Sequence, residues 1–125
     1  MDRHLYICGA LAGFLGVAFG AFAAHSLRGT LAPDMLAVFE TAVRYQMYHA
    51  FAIFAAAWAW ARWPRRIFPI AGWLFATGIV LFSGSLYLLA LTGARWLGAI
   101  TPLGGLALLA GWLCLTWGAA AKLRT

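Results

Sequence analysis

Charge is what this sequence has least of. Only nine of its 125 residues are Lys or Arg and three are Asp or Glu, so charged residues make up 10% of the chain. A soluble domain carries about 25% charged and roughly 45–50% apolar residues. Here hydrophobic residues reach 65% and mean hydropathy is +0.87. A body this small cannot hide that much apolar surface from water, so lipid is the expected solvent and no separate water-soluble domain is expected. Cysteine is also scarce. Cys8 and Cys114 each sit inside an apolar run, with no CxxC and no Cys/His metal spacing, which reads as two small buried hydrophobes. No nucleophile–base–acid set is apparent, so an enzyme is not expected, and no cofactor is implied. The balance of charge is basic, +6 with a pI near 10.2. Its Lys and Arg stand at the ends of apolar runs rather than in a patch. That pattern sets membrane orientation and argues against a nucleic-acid partner.

What the sequence does have is long apolar runs. A bilayer core of about 30 Å takes about 20 apolar residues per helix. Four such runs are expected at residues 5–24, 45–61, 67–91 and 102–121, in one all-α integral membrane domain covering 1–125: a transmembrane four-helix bundle. In the first run Gly9, Gly13, Gly16 and Gly20 form small-xxx-small pairs, and in the last Gly104, Ala107, Gly111, Cys114, Gly118 and Ala121 alternate at spacings of three and four. Such stripes let helix backbones approach closely where no hydrophobic force drives association. Ala21-Phe22-Ala23 resembles a signal-peptide cleavage site. Asp2 offsets Arg3 in the segment before the run, however, and the run exceeds an ordinary signal core, so the first run is expected to remain as a span.

Between the first two runs, Pro33 suits a first helical position and Asp34 its positive end. At about 100° per residue, Met35, Leu36, Val38, Phe39, Ala42 and Val43 fall on one side and Asp34, Glu40, Thr41 and Arg44 on the other. This predicts a short interfacial amphipathic helix over 33–44, lying on the membrane and bent relative to the second span. The chain then carries its densest polar stretch, Glu40 to His49, with Glu40, Arg44, Tyr45, Gln46, Tyr48 and His49 in ten residues, directly before the uncharged run Ala50 to Ala61. Polar groups at or inside a membrane are costly and are functional candidates for that reason.

Alternating spans place Arg3, Arg62, Arg65, Arg66, Lys122 and Arg124 on one side and Arg28, Arg44 and Arg95 on the other. The positive-inside rule then puts both termini in the cytoplasm of a multi-pass inner-membrane protein. Gly20-Ala21-Phe22-Ala23-Ala24-His25 and the longer Phe39-Glu40-Thr41-Ala42-Val43-Arg44-Tyr45-Gln46-Met47-Tyr48-His49-Ala50 resemble the signature of small bacterial membrane proteins of the YgdD/YwdK type, catalogued as domain of unknown function 423. Phe82-Ser83-Gly84-Ser85-Leu86-Tyr87 and Thr101-Pro102-Leu103-Gly104-Gly105 look like its later motifs. Ala23 stands where Gly is the commoner residue of that pattern. The resemblance covers nearly the whole chain and implies a four-span inner-membrane protein. It implies no settled activity.

His49 lies on the face of its helix shared with Tyr45, Ala52 and Ala56, which becomes small with depth. An antiparallel third span brings Ser83, Ser85 and Tyr87 toward the same outer half, where the first span ends at His25. The expected candidate cluster is therefore His49 bonded to at least one of His25, Ser83, Ser85 or Tyr87, with Tyr45 nearby and the Glu40–Arg44 pair at its mouth. The leading expectation for function is a non-enzymatic protein that packs against membrane lipids, a partner membrane protein or further copies of itself. A proton, ion or solute pathway through the cluster is one alternative. A haem redox protein using His25 and His49 is another.

Overall fold

The computed structural model describes residues 3–121; Lys122 and Arg124, counted above for orientation, lie outside the described residues. It is all-helical over this range. Helix α1 spans Arg3–Phe22 and ends in a π turn, Ala23–Leu27. Helix α2 spans Pro33–Arg62. Helices α3, Ile67–Gly78, and α4, Gly84–Thr92, join end to end through a π turn at Ile79–Ser83 and form one rod. After a 3-10 turn at Arg95–Ala99, helix α5 spans Thr101–Ala120. Gly93 ends α4 at φ 72°, the left-handed conformation that closes a helix through its N–H to the Leu89 carbonyl.

Neighbouring rods run antiparallel. On α1, Gly9 faces Ile53, Gly16 faces Met47 and Gly20 faces Val43, all on α2. On α5, Gly104 faces Phe82, Gly111 faces Phe75 and Gly118 faces Phe68, descending the α3–α4 rod. Gly78 receives Leu108 and Gly72 receives Leu5. The glycine stripes are therefore contact faces, as their spacing predicts, except that Gly13 has open space where a Cβ would stand. The closest approach of backbone to backbone is at Gly104, where a Cβ would meet the Phe82 nitrogen and sit 2.7 Å from the Phe82 Cα.

One expectation is corrected, and a second is met only in part. The division between a surface helix at 33–44 and a span from Tyr45 is absent, because α2 is unbroken through Arg44 and Tyr45. No Pro or Gly follows Pro33 within it, so nothing in the sequence interrupts its hydrogen bonding. Phe39, Ala42, Gln46, His49, Ile53 and Ala56 are all buried at spacings of three and four, one seam that passes straight through the proposed junction. The amphipathic face of 33–44 is thus turned toward other helices. Secondly, the stretches long and apolar enough to cross a membrane number three among the described residues: Arg3–Leu27, Ile67–Thr92 and Arg95–Ala120. Helix α2 falls short because Asp34, Glu40, Arg44, Gln46 and His49 occupy its first half. It nevertheless carries more buried residues than any other helix, packed against α1 on one side and the α3–α4 rod on the other. Large apolar side chains such as Phe14, Val17, Val80 and Leu113 are meanwhile more than 60% exposed on the outer rods. That inside-out distribution is what lipid permits and water does not.

Candidate functional site

The polar residues of the buried seam tie α2 to every other rod. Gln46, 3% exposed, donates from Nε2 to the Ala12 carbonyl of α1 at 2.8 Å and accepts at Oε1 from the Tyr87 hydroxyl of α4 at 2.6 Å. Ser83, 1% exposed, donates from Oγ to the Ala42 carbonyl at 2.7 Å. The π turn that contains Ser83 delivers this side chain to α2. On α5, the Trp112 indole N–H donates to His49 Nε2 at 3.1 Å. A ring nitrogen that accepts is unprotonated, so His49 is the neutral tautomer and its Nδ1–H donates to the Tyr45 carbonyl at 2.6 Å. Ser85 donates to Phe82 O at 2.9 Å and shares a 2.6 Å hydrogen bond with Thr101 at the start of α5. Among the described residues, no buried side-chain nitrogen or oxygen lacks a partner. An unpaired group of this kind costs about 1–3 kcal/mol, and more where no water can enter.

The expected cluster is only partly assembled. His49 is buried and paired, but with Tyr45 and Trp112 rather than with His25, Ser83, Ser85 or Tyr87. The reason is rotational. The seam points Gln46 toward α1 and α4, and His49, three residues on, toward α5. Tyr87 therefore meets Gln46, and Ser83 meets the backbone of α2. His25 is exposed in the π turn after α1. Glu40 and Arg44 face each other at 3.9 Å with side chains 46% and 61% exposed, the loose geometry of a solvated i,i+4 pair. Tyr45 is 40% exposed, its ring 4.7 Å from that of Phe82. Sequence reasoning placed Gln46 in the polar stretch but left it out of the cluster, and it missed Trp112. Gln46 carried a readable signal, since it is the position between Ala42 and His49 in a three-four seam. Trp112 carried none, because an indole in an apolar run looks like any lipid-facing aromatic. At the other end of the molecule, the Arg65 guanidinium donates to the carbonyls of Gly118 and Ala121 at 2.6 and 3.0 Å, capping the C-terminus of α5.

The family model described as a protein of unknown function, DUF423, matches residues 19–105. This range contains the whole Glu40–His49 stretch and the Ser83–Tyr87 segment that bonds to it. The chain belongs to the DUF423 family. It is 49% identical over 109 residues to the UPF0382 membrane protein SH2409 of Staphylococcus haemolyticus, covering 87% of this chain and 88% of that one. It is 46% identical to the UPF0382 membrane protein YwdK of Bacillus subtilis, at 87% and 89% coverage. It is 41% identical to the UPF0382 inner membrane protein YgdD of Escherichia coli K12, at 94% and 90% coverage. No solved structure matches. Among the described residues of this DUF423 protein, no group of three or more His, Cys, Asp or Glu could hold a metal ion. An axial haem role for His49 would require giving up the Trp112 bond.

Proposed function

We propose that this DUF423 protein is a four-span integral protein of the bacterial inner membrane, with both termini cytoplasmic. It works without catalysis, through contacts with lipids or a partner membrane protein. The observation that carries this reading is where the interior polar groups are spent: Gln46, His49, Ser83, Ser85 and Tyr87 are each engaged in hydrogen bonds, most of them between helices. Such a layer fixes helix register, a role interior polar groups commonly fill in lipid. Helix α2 is the fourth span in this reading. Its 30 residues make about 45 Å of helix, enough to cross the core and both interfaces. Its polar side chains are turned inward or kept near one end, so low hydropathy does not prevent insertion. The antiparallel rods support this orientation. Arg3, Arg62, Arg65 and Arg66 gather at one end, and Arg28, Arg44 and Arg95 at the other.

Two measurements test the proposal. With Cys8 and Cys114 replaced by alanine, an impermeant thiol reagent outside the cell should label Thr30→Cys and spare Pro64→Cys; the reverse pattern overturns the topology. Purified protein in liposomes loaded with a pH-sensitive dye should leak protons no faster than empty liposomes. A proton flux that His49→Gln abolishes in a folded protein would replace this reading with a transport function.

A further inference from the structure

Helix α1 leans on α2 and touches α3 only lightly, which leaves a groove between α1 and the α3–α4 rod. The groove encloses about 600 Å³. Ile7, Leu11 and Leu15 form one wall and Trp73, Ile79 and Val80 the other, with Gln46 and Tyr87 at the floor. It extends along α1 from His4 to Phe19, about 22 Å at the helical rise. One leaflet of a bilayer core is about 15 Å deep, so the groove reaches past mid-membrane. Its volume lies within the range of about 300–1,000 Å³ for small-ligand sites and, over that length, is less than a helix about 10 Å across would fill. Two facts at its ends specify what fits. At the deep end Gly84 lines the wall with nothing within 4 Å of where a Cβ would be, so space there is left open. At the shallow end stand His4 and the exposed Arg3, on the face of the molecule that also carries Arg62, Arg65 and Arg66, so that arginines outnumber the one Asp2 that precedes them in the sequence.

We propose that this groove holds one acyl chain of an anionic phospholipid, with the headgroup phosphate at the Arg3–His4 end and the chain lying between α1 and the α3–α4 rod toward Gly84. The site rests on the proposed membrane-spanning reading and gives its lipid contact a place and a charge. A chain with no head charge would gain from the walls but nothing from Arg3. A zwitterionic headgroup would gain less, because its own cation sits beside the phosphate.

Native mass spectrometry of the full chain tests this. The protein is stripped in mild detergent and offered phosphatidylglycerol or phosphatidylcholine with identical acyl chains. The wild type should retain a single phosphatidylglycerol at least fivefold more than phosphatidylcholine. Gly84→Leu fills the deep end and should cut that retention at least fivefold with an unchanged unfolding midpoint. Val80→Trp, at a side chain 70% exposed on the groove wall, should do the same and serves if the first variant does not fold. Arg3→Gln should erase the preference between headgroups while one lipid is still held. Equal retention of both lipids by the wild type overturns the proposal, as does retention unaffected by groove filling. So does a dimer that Gly84→Leu dissociates, which would make a second copy the occupant. If these lipid tests fail while the labelling and proton-flux results stand, the four-span reading survives and only the site is lost.

Discussion

Replacing Gly104 with alanine is the sharpest perturbation the structure offers. The added Cβ would sit 2.7 Å from the Phe82 Cα and 2.8 Å from the Leu81 carbonyl carbon. Carbon atoms rest about 3.5–4.0 Å apart, so α5 must withdraw from the rod by about 1 Å. The obstructing atoms are helical backbone and cannot rotate away as a side chain would. Withdrawal also stretches the Ser85–Thr101 bond at 2.6 Å and the Trp112–His49 bond at 3.1 Å. Gly105 supplies the control on the same helix, because its Cβ would meet only Phe82 Cδ2, at an ordinary 3.9 Å. Both substitutions gain the same helix propensity of about 1 kcal/mol, which cancels in the comparison. What remains is overpacking, typically about 1–3 kcal/mol. Unfolding in mixed micelles titrated with sodium dodecyl sulfate should therefore place Gly104→Ala below Gly105→Ala by about 2 kcal/mol. Equal stability of the two variants would refute the claim that α5 packs backbone to backbone against the π turn.

Three further outcomes are expected. Gln46→Leu leaves the Tyr87 hydroxyl without its acceptor and should cost about 1–3 kcal/mol, while the double variant with Tyr87→Phe should cost less than the sum of the singles; strict additivity in the cycle would show that the pair does not interact. Trp112→Phe and His49→Leu should be coupled by about 0.6 kcal/mol, the usual size of an interhelical hydrogen bond in lipid, and His49→Gln should keep most stability; no coupling in the same denaturation cycle would remove the α2–α5 tie. Arg65→Met should loosen the end of α5, read as faster amide exchange over Trp117–Ala121 with α2 unaffected, and unchanged exchange would count against the cap.

Much was legible in the residues themselves. Composition and run length demand helices in lipid, because backbone polar groups in a bilayer must be satisfied within the segment. Periodicity marked Gly16, Gly20, Gly104, Gly111 and Gly118 as contact positions, since a flat stripe has no other use on a packed helix. Motif length identified the family. Only the tertiary structure decided the rest. A local amphipathic pattern over 33–44 is the same whether its apolar face meets a lipid surface or neighbouring helices. The presence of α1 and the α3–α4 rod on either side of α2 selects the second. Likewise the sequence shows that His49 needs a partner, but the partner depends on the rotation of four rods about their axes. One residue of rotation is about 100°, enough to hand Tyr87 to Gln46 and His49 to Trp112.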